Sequence, residues 1–192
     1  MTERSSIVAL YDANVLYSAT LRDTLMHLAL STLVEAKWTA AIQAEWLRHI
    51  IQNRPDLERS KLERTQALMN YAVPNALVDG FEVLIETLEL LDPADRHVLA
   101  AAIHCNAQMI VTANLKDFPR KALEPFGLEA LHPDEFICRL LEINAAAVIA
   151  ALKLQREAMK YPAMNADAFL QMLEQQGLKS VTERLKPFAV LI

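Results

Sequence analysis

Glycine is scarce: the 192 residues contain three, Gly80, Gly127 and Gly177. Phosphate-cradling loops and dinucleotide-binding fingerprints need clustered glycines so that the backbone can approach the ligand, and no cluster exists here. A G-x-S-x-G nucleophile elbow is also missing, which excludes an α/β-hydrolase. The two cysteines, Cys105 and Cys138, are too few and too far apart for a cysteine zinc site or a disulfide framework. Among apolar neighbours they read as reduced, buried small hydrophobes, the usage expected in a cytoplasm. The five histidines are scattered and none forms H-E-x-x-H. His97 and His104 share an expected helix at a spacing that does not let both chelate one ion, so they read as packing or surface residues. Apolar runs such as Ala145 to Leu152 fall far short of the ~20 residues of a membrane span. The start, Met1 to Ser6, is polar and holds no signal-peptide core, so a soluble cytoplasmic protein with no membrane partner is expected.

What is present is a globular composition, 53% hydrophobic and 22% charged, in a length suited to one domain with a small extension. The net charge of −5 argues against a general nucleic-acid coating protein. It leaves a nuclease open, because divalent ions held by carboxylates reverse the local sign.

Ser6 to Tyr11 reads as a short buried strand that ends at Asp12-Ala-Asn14. Leu21, Leu25, Leu28, Thr32 and Ala36 fall at helical spacing and predict a helix over 21–35. Ile42, Trp46, Leu47, Ile50 and Ile51 mark a second helix. Pro55 interrupts it, and a charged third helix follows over 56–70. Phe81 to Leu91 suggests a helical start and then a strand near Glu89 to Leu91. Asp92-Pro93-Ala94-Asp95 has the form of a helix start, with Asp92 as N-cap and Pro93 at the first position. Gln108 to Thr112 is a strand, Asn114 to Pro119 a loop, and Leu128 to Leu131 a last strand before a helix at Pro133. This alternation predicts an α/β fold, a parallel sheet with helices on both faces. Beyond it lies a helical extension, whose stripe of Leu140, Ile143, Ala147, Ala150 or Ala151, and Leu154 stops near Pro162. Asn165 caps a helix ended by Gly177, and Ser180-x-x-Glu183 reads as a capping box. The expected division is 1–138 and 139–192.

In open α/β sheets ligands bind outside the carboxyl ends of the strands, where strand order reverses. Acids lie at such ends. Asp12 follows the first strand, Asp95 opens the helix after a later one, and Asn114 and Asp117 follow the strand ending at Thr112. Glu45 on the second helix adds a further carboxylate. Close carboxylates repel and raise one another's pKa unless a cation joins them. Oxygen-only ligation suits Mg²⁺ or Mn²⁺, and phosphodiester hydrolysis is the chemistry such a site performs.

Four segments carry a resemblance: Tyr11-Asp12-Ala-Asn14-Val-Leu-Tyr-Ser18, Ala44-Glu45, Asp95-Arg-His-Val-Leu-Ala-Ala-Ala-Ile103, and Val111-Thr112-Ala-Asn114-Leu-Lys-Asp117-Phe118. In this order, over residues 7–136, the chain resembles the PIN-domain family, specifically the VapC-type ribonuclease toxins. The resemblance implies a PIN-like domain acting as a Mg²⁺- or Mn²⁺-dependent endoribonuclease, the toxin of a toxin–antitoxin pair, with RNA as substrate. It also implies a homodimer and a cognate antitoxin as partners. Asp12, Glu45, Asp95 and an acid near Thr112 would hold the metal, and Asn14, Ser18 and Thr112 would support the site by hydrogen bonds. The family's fourth motif commonly has an aspartate where this chain has Asn114. That leaves open whether Asn114 ligates through its amide oxygen or Asp117 reaches in.

Each acid also has a plainer reading. Asp12 suits a strand-to-helix turn, Asp95 complements a helix dipole by ~0.3–1 kcal/mol, Glu45 fits the wet side of an amphipathic helix, and Asp117 fits a loop. Arg48, Arg54, Arg59, Lys61 and Arg64, interleaved with Glu58 and Glu63, read as a solvated face of i,i+4 pairs. Lys116, Arg120 and Lys121 are better placed to contact an RNA backbone. Two rival readings stand beside the nuclease: a PIN-like scaffold that binds RNA or protein without cutting, and a small-phosphoester hydrolase.

Overall fold

A computed structural model describes residues 6–192; Met1 to Ser5, most of the polar start, lie outside the described residues. Five strands form one sheet: β1 (Ile7–Tyr11), β2 (Val34–Thr39), β3 (Leu77–Val78), β4 (Met109–Val111) and β5 (Glu129–Leu131). All neighbours are parallel, in the order β3-β2-β1-β4-β5. The chain steps outward from β1 through β2 and β3, then returns to lay β4 on the other side of β1. With right-handed crossovers this reversal covers both faces with helices, as the sequence pattern implies. β1 is therefore the buried centre, and Ala9, Leu10 and Tyr11 are wholly inaccessible. The Tyr11 ring lies between Trp38 of β2, at 6.5 Å, and Phe136, edge-on at 6.2 Å.

The helices before the reversal are α1 (Ala13–Tyr17), α2 (Ala19–Leu30), α3 (Ala40–Asn53), α4 (Arg59–Ala72) and the single turn α5 (Glu82–Ile85). Two expectations fail here. The helix expected over 21–35 stops at Leu30, Thr32 takes a left-handed φ of 62°, and β2 begins at Val34. Val34, Ala36 and Trp38 are buried while Glu35 is exposed, so a period of two prevails over the helical spacing of Thr32 and Ala36. No strand forms at Glu89 to Leu91, where Glu89 and Leu91 both face solvent. The edge strand is instead the two-residue β3, paired with Trp38 and Thr39. The charged helix starts at Arg59 rather than residue 56.

After the reversal come α6 (Arg96–His104), α7 (Arg120–Leu123), α8 (Pro133–Ala158), α9 (Ala166–Gln175) and α10 (Lys179–Leu185). Asp92 caps the 3₁₀ turn Pro93–Asp95 that leads into α6, its Oδ1 accepting from Ala94 N at 2.8 Å. α8 runs through the expected division at 138 and bends at Asn144, whose φ of −157° is non-helical and whose Oδ1 restarts the helix at Ala147 N, 3.1 Å away. This bend shifts the phase of the apolar stripe. Leu140 is buried as expected, but Ile143 and Leu154 are exposed, and Val148, Ile149, Ala151 and Leu152 take the inward positions against α2. The capping box at Ser180 does not form. Asp134, in the first turn of α8, accepts from Ser180 N and Val181 N instead. Cys138 is buried, whereas Cys105 is half-buried rather than fully so.

Candidate metal centre at the strand-order reversal

Asp12 is the residue that leaves the central strand. Its N–H donates to Val111 O at 3.1 Å, which ties the end of β1 to the end of β4 at the point where strand order reverses. Its carboxylate is buried, 5% exposed, and three donors hold it. Oδ1 accepts from Ala13 N at 2.7 Å, capping α1, while Oδ2 accepts from Asn14 Nδ2 at 2.6 Å and from Thr112 Oγ1 at 2.8 Å. Asn14 Nδ2 also contacts Thr112 Oγ1 at 2.9 Å, and Asn14 Oδ1 accepts from Ala113 N at 2.9 Å. Asp12, Asn14 and Thr112 thus form one hydrogen-bonded unit.

Glu45 acts on the charge of Asp12, and Asp12, Asp117 and Glu45 act on that of Asp95. Burial, and then the charges of Asp12, Asp117, Asp92 and Glu45, push the Asp95 carboxyl up to about 6. Asp12 is raised as well, by burial above all, with Glu45 adding to the rise; its bonds from Thr112 and Ala13 and the charge of His97 oppose it. Carboxylates from four segments distant in sequence thus oppose one another's charge near the carboxyl end of the central strand.

The fourth motif resolves into a pair. Asn114 Nδ2 donates to Asp117 Oδ2 across the 3₁₀ turn Leu115–Asp117, and Asn114 N donates to Thr112 Oγ1 at 3.0 Å. The negative charge of this loop comes from Asp117, which acts on Asp95, and Asn114 braces it. Ser18 stands apart: it caps α2 and bonds to Gln176 rather than to any acid of the cluster.

His97, read from sequence as a packing or surface residue, belongs to this neighbourhood. Its Nε2 lies 3.8 Å from Glu45 Oε2, and its Nδ1 is buried without a partner. Burial lowers its pKa, although Glu45 and Asp12 act to raise it. The approach is an ion pair only in acid, and near neutrality it is a neutral imidazole beside a carboxylate. Its position two residues after Asp95, at the start of the same helix, was the available signal.

The donor set suits a hard divalent cation: several carboxylate oxygens, an amide oxygen and raised acid pKa values that a cation would relieve. Among the described residues no three His, Cys, Asp or Glu side chains stand at ion-holding distance. Of the cations, Arg54, Arg59 and Lys61 are engaged with Asp56, Glu63 and Glu58 at 2.6, 2.7 and 3.1 Å, as a solvated face requires. Lys116, Arg120 and Lys121 are exposed and make no ion pair among the described residues. Lys116 lies in the turn between Asn114 and Asp117, while Arg120 lines a separate cavity with Phe118, Glu124 and Glu129.

Comparison with known proteins agrees with this fold. A family model described as PIN domain matches residues 8–116, and another, described as VapC50 C-terminal domain, matches residues 133–187. Over 82 residues the chain is 42% identical to a protein of Mycobacterium tuberculosis named "Putative ribonuclease VapC50", an alignment that covers 43% of this chain. It covers 48% of that protein, so the match spans about half the length of the curated relative. No solved structure matches. The PIN match takes in more than half of the chain and contains all the clustered acids except Asp117, one residue beyond it: the chain belongs to the PIN-domain family.

Proposed function

We propose that this protein is a divalent-cation-dependent endoribonuclease, the toxin of a VapC-type toxin–antitoxin pair. The observation that supports the reading is the placing of Asp12 at the reversal of strand order, held by Thr112 and Asn14, with an Asp95 carboxyl pushed up to about 6 by burial first and then by the charges of Asp12, Asp117, Asp92 and Glu45. The relative's printed name, ribonuclease, supports the substrate class.

Asp12, Glu45, Asp95 and Asp117 would hold Mg²⁺ or Mn²⁺, with the Asn114 amide oxygen as a further donor. When bound, the ion supplies an acidified water and offsets negative charge on the phosphodiester. The protein's own groups do the rest. Thr112 and Asn14 fix the Asp12 carboxylate, so its remaining lone pairs face the cluster in one orientation. Asp95 discards its proton above about pH 6 and becomes available as a ligand. Lys116, Arg120 and Lys121 contribute exposed positive charge to the RNA backbone. A homodimer, an antitoxin laid over the acidic groove and a cytoplasmic site of action complete the proposal.

Replacing Asp12→Asn or Asp95→Asn tests it: both should abolish Mg²⁺-dependent RNA cleavage and growth arrest, and unchanged cleavage by both would falsify the nuclease reading. A second reading, a PIN scaffold that binds without cutting, draws on Asn114 and on the absence of a closed three-ligand group among the described residues. Calorimetry with Mn²⁺ separates the two, since a scaffold should show no binding in the useful range.

A further inference from the structure

The C-terminal helices close a ring of contacts that runs through Asp12. Ser18 ends α1 and caps α2, its Oγ accepting from Leu21 N at 3.4 Å while donating to Gln176 Oε1. Gln176 follows α9 and lies 158 positions away in sequence. The turn that carries it is anchored: Gly177, with a φ of 86°, turns the chain, Leu178 is wholly buried, and Ser180 N and Val181 N donate to Asp134. Asp134 follows β5 by three residues, and Leu131 O of β5 accepts from Thr112 N at 3.0 Å. Thr112 in turn donates to Asp12, which caps the other end of α1.

A second tie fixes α2 to the same region. Thr24 Oγ1 donates to Gln155 Oε1 at 3.0 Å, and Gln155 Nε2 donates to Thr20 O at 3.3 Å, with Thr24 and Gln155 both wholly inaccessible. Polar groups buried this deeply cost free energy if a partner moves away, so they fix the placement of α2 against α8. α1 has five residues, too few for a stable helix on its own; buried Val15 and Leu16 and the Arg22 bonds to Leu16 O and Tyr17 O seat it, and what holds its two ends sets its remaining freedom. Those ends are Asp12 and Ser18.

We infer that Gln176 is a positioning residue for the acid cluster: by holding Ser18 it fixes α1 and with it the Asp12 and Asn14 side chains. The C-terminal helices are then a working part of the site. What is positioned rests on the nuclease reading; the mechanical link does not.

The test uses the full chain, comparing Gln176→Leu, Ser18→Ala, the double variant and Gln176→Glu, which retains the acceptor oxygen. Amide hydrogen exchange reads the link directly. Gln176→Leu and Ser18→Ala should each speed exchange of the Leu16 and Tyr17 amides by roughly tenfold, while α6 amides from Ala100 to Ile103 stay unchanged. The double variant should be no worse than either single, and Gln176→Glu should retain wild-type protection. In Gln176→Leu and Ser18→Ala, but not in Gln176→Glu, Mn²⁺ affinity by calorimetry should fall about fivefold, and kcat should fall with KM nearly constant. Unchanged α1 protection in Gln176→Leu overturns the link, as does simple addition of the two single effects. Faster exchange with undiminished Mn²⁺ affinity overturns the positioning role. A wild-type chain that binds no Mn²⁺ counts against the nuclease reading and the positioning of metal ligands, whereas the exchange data still decide the mechanical link.

Discussion

Thr112 Oγ1 donates to Asp12 Oδ2 at 2.8 Å, joining the ends of two adjacent parallel strands across 100 residues of sequence. The acceptor is a buried carboxylate, and hydrogen bonds to charged groups contribute about 1.5–3 kcal/mol. Thr112→Val keeps the side-chain shape and removes this donor together with the acceptor of the Asn14 Nδ2 and Asn114 N bonds. It should lower unfolding free energy within that range and weaken Mn²⁺ binding, whereas Thr112→Ser should retain both. Denaturant titration and calorimetry on the three proteins check this; equality of Thr112→Val with wild type would show that the hydroxyl does not govern Asp12.

Function and stability should move in opposite directions at Asp95. Burial and four neighbouring carboxylates disfavour its charged form. Asp95→Asn removes that strain and should raise the apo melting temperature by about 2–4 °C, on the order of 1 kcal/mol after solvent screening of a partly exposed group. The same substitution removes a proposed ligand and should abolish cleavage. Differential scanning calorimetry in chelator, paired with an RNA cleavage assay, tests the trade-off. A less stable Asp95→Asn would place the value of this residue in its fold rather than in its chemistry.

The strands β1, β4 and β5 and the start of α6 were readable from the chain because their signals are local. Asp12 follows the short apolar run that forms β1, Asp92-Pro93 starts a helical turn, and Thr112 directly follows β4. β2 was hidden because Thr32 and Ala36 continue the helical spacing of α2, and only the left-handed turn at Thr32 breaks it. The phase of α8 was hidden by the bend at Asn144, which no periodicity reveals. His97 and Gln176 escaped for a different reason. Their partners lie far away in sequence, Glu45 for one and Ser18 for the other, and such pairing is not written in a single sequence, although the place of His97 just after Asp95 hints at its neighbourhood.

The raised Asp95 carboxyl fixes the sign of a pH effect. Its folded pKa of about 6 exceeds the ordinary 3.8, so the folded chain binds this proton more tightly than the unfolded chain. The contribution therefore favours the fold in acid, is lost as pH rises from about 4 to 6, and is flat above that. A divalent ion competes with the same proton, so its apparent affinity should drop about tenfold for each pH unit below 6. Melting temperatures at pH 5 and pH 7.5, with and without Mn²⁺, check both statements. An equal Mn²⁺-induced rise at the two pH values would remove Asp95 from the ligand set.

The exposed cations divide by whether they already have a partner. Arg59 and Lys61 are held by Glu63 and Glu58, whereas among the described residues Lys116, Arg120 and Lys121 form no ion pair. Counterion release from single-stranded RNA adds a slope of roughly 0.7 in log affinity against log salt for each phosphate neutralised. In an Asp12→Asn background, which suppresses cutting, Lys116→Ala, Arg120→Ala and Lys121→Ala should each reduce the slope by about that amount and weaken all sequences alike. Arg59→Ala and Lys61→Ala should leave the slope unchanged, because their charge is already neutralised within the helix. Filter binding over a salt series distinguishes the sets. If the slope falls for the Arg59 and Lys61 variants instead, RNA approaches along α4 and not past the loop that carries Asp117.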